Sequence, residues 1–189
     1  MNIVQKLSDN TKEYIDNFYK ILDEMTENMR AVSPNASISD TFIRQMIPHH
    51  EAAIKMSENI LNFTTDTAIE ELAKNIITDQ TKEISKMQYM LEDCSAITNS
   101  EVDINLYMRE YNVIFDNMIK KMNNSSSTNN LNANFLTEMI PHHESTINMA
   151  KNVLKYEICQ DLKKLAENIV VSQSAQLTLM QNLLRGRMF

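Results

Sequence analysis

The chain has 189 residues, 43% of them hydrophobic, with only one glycine and three prolines. So few turn-formers exclude a hairpin-rich sheet fold, and the plentiful Glu, Lys, Leu, Met and Ala point to an all-α class. A formal charge of −7, from 25 acidic against 18 basic side chains, excludes the concentrated positive field that a nucleic-acid partner requires.

The opening MNIVQKLSDNTKEY has no apolar stretch of leader length, and no later segment approaches the roughly 20 apolar residues of a membrane span. The expectation is a cytoplasmic protein with no membrane partner. A first helix is predicted at about residues 8–31, followed by the polar break AVSPNASIS and a second helix at about 39–62, with Ser39 or Asp40 as its cap. A third follows at about 66–93. The second half is predicted to hold helices at about 101–124, 132–155 and 159–185, with the low-complexity NNSSSTNNLNAN as the loop between its first two. Cys94 and Cys159 lack a CxxC spacing and are expected to be reduced, partly buried thiols.

The sequence matches itself at an offset of 93 residues, without a gap. FIRQMIPHHEAAIKM at 42–56 falls on FLTEMIPHHESTINM at 135–149, and Tyr14, Phe18, Met25 and Met29 fall on Tyr107, Tyr111, Met118 and Met122. Leu72, Ala73, Gln80 and Met87 fall on Leu165, Ala166, Gln173 and Met180. One compact domain over residues 1–189 is therefore expected, built from two three-helix repeats at approximately 8–93 and 101–186.

All four histidines, His49, His50, His142 and His143, lie in the two MIPHHE copies. At about 100° per residue, Phe42, Met46, His50, Ala53, Ser57 and Ile60 share one helix face, so His50 sits mid-core and His49 on its flank. The third helix places Gln80 inside an apolar stripe with Glu83 at its edge. A buried polar group without a partner costs roughly 1–3 kcal/mol, so these side chains must be paired. They either hydrogen-bond His to Gln, or pair across the two halves, as a metal-free structural or interaction bundle, or the imidazoles bind a metal while an outer amide or carboxylate orients the ring.

Ten of the 14 methionines form offset-matched pairs, among them Met46/Met139, Met56/Met149 and Met87/Met180. Met46 precedes His50 by four residues, placing thioether and imidazole on one face. That donor mixture favours Cu(I) over zinc or di-iron, which want thiolate or more carboxylate. Neither HExxH nor a di-iron carboxylate set is present, and no nucleophile with an attendant base supports catalysis. Pro48 and Pro141 fall inside the second and fifth helices, which are expected to run on through them or kink there; the alternative is that each helix starts at its proline.

The two copies, each followed by LAKNIITDQTKEISKM or LAENIVVSQSAQLTLM, resemble the DUF305 family over residues 40–91 and 133–184. The resemblance implies a ferritin-like helical bundle and, for some members, copper binding through Met and His. It implies as ligands Met46, His49, His50, Met56 and Met87, with Met139, His142, His143, Met149 and Met180 in the second half. Gln80, Gln173, Glu83 and Glu138 stand as outer residues around them. The halves differ in that Gln45 becomes Glu138, Glu83 becomes Gln176 and Asp40 becomes Ala133. Copper is thus the expected metal, another transition metal or none being the alternatives, and the first helix of each half is left to cover the bundle or to build a homo-oligomer interface.

Overall fold

The computed structural model describes residues 6–125 and 127–187; residues 1–5, which open the MNIVQKLSDNTKEY segment, and 126, 188 and 189 lie outside this description. The described residues form α1 (Asp9–Ala31), α2 (Ile38–Leu61), α3 (Thr67–Ser95), α4 (Glu101–Asn123), α5 (Leu131–Val153) and α6 (Gln160–Arg187), with no strand among them. These bounds agree with the predicted elements to within two residues.

Local chemistry sets the helix starts. Ser8, Ser37, Asp66, Ser100 and Asn130 each accept a hydrogen bond from a first-turn amide, satisfying a donor the helix cannot satisfy itself. The cap of α2 is therefore Ser37 and not Ser39 or Asp40, which lie inside the helix. Asp40 is instead buried, its carboxylate accepting from Arg44 at 2.9 Å and from Ser95 at 2.8 Å. Both α2 and α5 run uninterrupted through their prolines, so neither helix starts there.

α2 and α5 form the centre. Each packs against the other two helices of its own half, and contact between α2 and α5 joins the halves, with a smaller contact between α3 and α6. The stripe Thr11, Tyr14, Phe18, Leu22, Met25 and Met29 buries one face of α1, while the equivalent α4 face buries Tyr107, Tyr111, Phe115, Met118 and Met122. Contacts recur at the 93-residue offset. Asn59 donates to the Tyr14 carbonyl and Asn152 to the Tyr107 carbonyl, both at 3.0 Å.

Other matched contacts cross between halves. The Tyr14 hydroxyl of α1 donates to Glu138 of α5 at 2.5 Å, and the Tyr107 hydroxyl of α4 donates to Gln45 of α2 at 2.6 Å. The cysteines correct the sequence expectation. Cys94 and Cys159 are joined in a disulfide, with Cα atoms 5.2 Å apart, because the end of α3 and the start of α6 meet. Proximity of two residues 65 positions apart is a property of the tertiary fold, which their sequence spacing does not encode.

Candidate metal centre

The α2–α5 contact brings the two histidine pairs together, and all four rings are fully buried. His49 and His142 lie with centroids 3.8 Å apart and ring planes tilted by 38°, while each is about 6 Å from its neighbour in sequence, at 6.2 Å for His50 and 6.1 Å for His143. The inward-facing pairs are what the helical spacing predicts for His50, and the flanking His49 turns inward too.

Each ring is held through Nε2. His50 Nε2 donates to Glu83 at 2.8 Å, His143 Nε2 to Gln176 Oε1 at 2.9 Å, and His142 Nε2 to the His49 carbonyl at 3.0 Å. The Gln176 amide is itself oriented, since its Nε2 donates to Asp79 at 3.0 Å. All three partners are oxygens that only accept, so Nε2 carries a proton in each ring, and in the neutral imidazole Nδ1 keeps its lone pair. Those Nδ1 atoms of His50, His142 and His143 are buried without a hydrogen-bond partner.

His49 differs. Its Nε2 meets the Ser145 hydroxyl at 2.7 Å, and its Nδ1 faces Thr146 at a long 3.5 Å. Ser145 also lies 2.7 Å from the His142 carbonyl and 2.8 Å from Met118 Sδ.

Burial disfavours the imidazolium, and the neighbouring rings add to the effect. His49 and His142 are held well below the ordinary histidine range. His143 is pushed down to about 4 by burial, although Gln176 and the Met139 carbonyl oppose the shift. These rings are neutral at physiological pH, the state in which imidazole ligates metals. Glu138 moves the other way, up to about 8, because burial outweighs the hydrogen bond from Tyr14.

The pairing of His50 with Gln80 and of His143 with Gln173 does not form. Glu83 and Gln176, three residues further along their helices, take those places, because one helical turn carries them towards the ring. The Gln80 amide has no hydrogen-bond partner at either end, and Gln173 Oε1 has none either. Glu138 does not reach a ring; it is engaged by Tyr14.

All six predicted thioethers, Met46, Met56, Met87, Met139, Met149 and Met180, are buried. Met46 and Met139 sit one turn before His50 and His143; Met87 and Met180 sit one turn beyond Glu83 and Gln176. Met56 and Met149 stand six residues past His50 and His143, about 9 Å along the helix axis, which separates them from those rings. Among the described residues no group of three or more His, Cys, Asp or Glu is arranged to hold a metal ion.

Sequence reading missed Ser145 and Met118. Met118 is visible in the repeat as the partner of Met25, but Ser145 matches Ala52 and carries no periodic mark.

The family described as "Domain of unknown function (DUF305)" matches residues 22–91 and 39–184. The chain belongs to the DUF305 family. Solved structures with a similar fold include CopM in an Ag-bound form, 26% identical with a TM-score of 0.60 over 81% of this chain and 98% of that one. CopM in the Cu(I)-bound form is also 26% identical, at a TM-score of 0.58 over 78% and 96%. A DUF305 fragment from Deinococcus radiodurans, 21% identical with a TM-score of 0.57 over 80% and 98%, shares the fold. The uncharacterized protein L153 of Acanthamoeba polyphaga mimivirus is 42% identical over 64 residues, which span 33% of this chain and 42% of that relative. No helix among the described residues is long and apolar enough to cross a membrane.

Proposed function

We propose that this DUF305 protein binds a soft metal ion, Cu(I) above others, with imidazole and thioether donors from the two MIPHHE helices. The observation that carries the reading is the repeated orphan lone pair: three buried imidazoles present Nδ1 without a partner while Nε2 is fixed by an acceptor. Such outer hydrogen bonds set the tautomer and aim the ligating nitrogen.

The residues that would hold the ion are His50 with Met46 and Met87, and His143 with Met139 and Met180, with His49 and His142 between them. Soft sulfur with imidazole selects Cu(I) or a similar soft ion. Leaving three nitrogens buried and unpaired costs free energy in the metal-free state, and ligation removes that cost. CopM, which shares the fold at 26% identity, has been solved with Cu(I), Cu(II) and Ag bound, in support of this assignment.

Glu83 and Gln176 differ in charge, so the two halves offer unequal sites, with the carboxylate-backed His50 the stronger donor. The Cys94–Cys159 cross-link favours an oxidising compartment over the cytoplasmic placement expected from sequence.

The test is anaerobic Cu(I) titration against a competing chelator. The intact protein is compared with His49→Ala/His50→Ala/His142→Ala/His143→Ala and with the volume-conserving Met46→Leu/Met139→Leu. Loss of uptake in both variants is the expected result. Equal uptake by all three removes the metal assignment and leaves a metal-free bundle, whose filled Nε2 positions would then be structural.

A further inference from the structure

Two surface clefts flank the histidine centre at positions related by the 93-residue offset. The first lies between α1 and α2 and is lined by Met25, Pro48, Ala52 and Lys55; the second lies between α4 and α5 and is lined by Met118, Pro141, Ser145 and Asn148. Their volumes differ widely, at about 10 Å³ and about 320 Å³. The substitutions between repeats explain the difference. In the first cleft Glu24 and Lys55 meet in an ion pair at 2.6 Å and fill the groove, whereas the matched positions carry the short side chains Asn117 and Asn148. The second cleft has its own pair within its lining, Lys121 with Glu144 at 2.6 Å, and stays open despite it.

Of these two clefts, the open one is linked to a ring through a lining hydroxyl. Ser145 and Met118 line it, and the Ser145 hydroxyl touches both Met118 Sδ at 2.8 Å and His49 Nε2 at 2.7 Å. In the closed cleft Ala52 stands where Ser145 would be and has no hydroxyl to make such a link.

Resting on the metal-binding reading above, we propose that the α4–α5 cleft is the access site for the ion, with Met118 as its first thioether donor and Ser145 as the relay to His49. The two contact distances bound the Sδ–Nε2 separation at 5.5 Å. A sulfur and an imidazole nitrogen share one ion at no more than roughly 4.3 Å, so the two atoms lie within a side-chain adjustment of that span. The hydroxyl has a second acceptor in the His142 carbonyl, so its proton keeps a partner when an ion occupies the sulfur. Access is thus one-sided in a protein whose sequence repeats.

The test compares Asn117→Trp, which fills the open cleft from an exposed position, with Glu24→Trp at the matched exposed position. Transfer of Cu(I) from a chromophoric chelator is followed by stopped flow. Asn117→Trp is expected to slow transfer at least about tenfold with equilibrium uptake unchanged, and Glu24→Trp to load at the wild-type rate. A wild-type rate in Asn117→Trp, or equal slowing in both, overturns the access site while leaving metal binding intact. A second measurement needs no metal. In the metal-free, disulfide-intact protein, Ser145→Cys should react with a small methanethiosulfonate at least about ten times faster than Ala52→Cys. Equal or reversed reactivity overturns the access site whether or not the chain takes up Cu(I), and absence of Cu(I) uptake by the wild type overturns the function itself.

Discussion

Replacing Glu138 by Gln should remove a pH dependence that the fold itself creates. Glu138 is buried on α5 and its carboxyl is raised from an ordinary 4.5 to about 8, while in the unfolded chain it ionises normally. A carboxyl whose folded pKa is raised contributes stability that is fully present below 4.5 and is lost as pH rises through 8. At 1.36 kcal/mol per pH unit, the loss between pH 5 and pH 8 is roughly 3–4 kcal/mol. Glutamine is the right replacement because the matched position already holds Gln45, which accepts the Tyr107 hydroxyl at 2.6 Å. Urea unfolding of wild type and Glu138→Gln at intervals from pH 5 to 8 should show similar stability at pH 5 and a widening advantage for the variant above it. A difference between the two that does not change with pH would refute the buried-acid argument.

Acid should destabilise by the opposite route. His143 is lowered to about 4 against 6.5 in the unfolded chain, so its contribution is present above 6.5 and falls by roughly 3 kcal/mol as pH drops to 4, with His49 and His142 adding to the loss. Thermal melts of Glu138→Gln, where the acid no longer masks the effect, would refute this by staying flat from pH 7 to 4.5. Cys94→Ser/Cys159→Ser should cost about 4 kcal/mol, since the cross-link closes a loop with a separation of 65 residues. Unchanged denaturant midpoints would show the bond to be energetically idle. Glu83→Leu should weaken Cu(I) binding about 10–100-fold by freeing the His50 ring, and unaltered chelator competition would deny Glu83 its orienting role.

Much of this architecture was legible from periodicity. The spacing of Phe42, Met46 and His50 forces one buried face, and the 93-residue offset predicts that whatever α2 does, α5 does beside it. What escaped were contacts between elements. Whether Gln80 or Glu83 meets His50 depends on rotation and tilt of α3 against α2, which one turn of ambiguity conceals. The Tyr14–Glu138 and Tyr107–Gln45 bonds join residues more than 60 positions apart. Likewise the Cys94–Cys159 bond depends on how helix ends meet, and Ser145 looks like an ordinary helical serine until α4 lies against it.

The covalent tie between Cys94 and Cys159 also decides which chemistry is left for a soft cation. They are the chain's only cysteines, and while they remain bonded to one another no thiolate can outbid thioether and imidazole for the ion. In the function proposed above, neutral thioether and imidazole donors take up such an ion without releasing protons from the protein, so uptake should leave the solution pH unchanged.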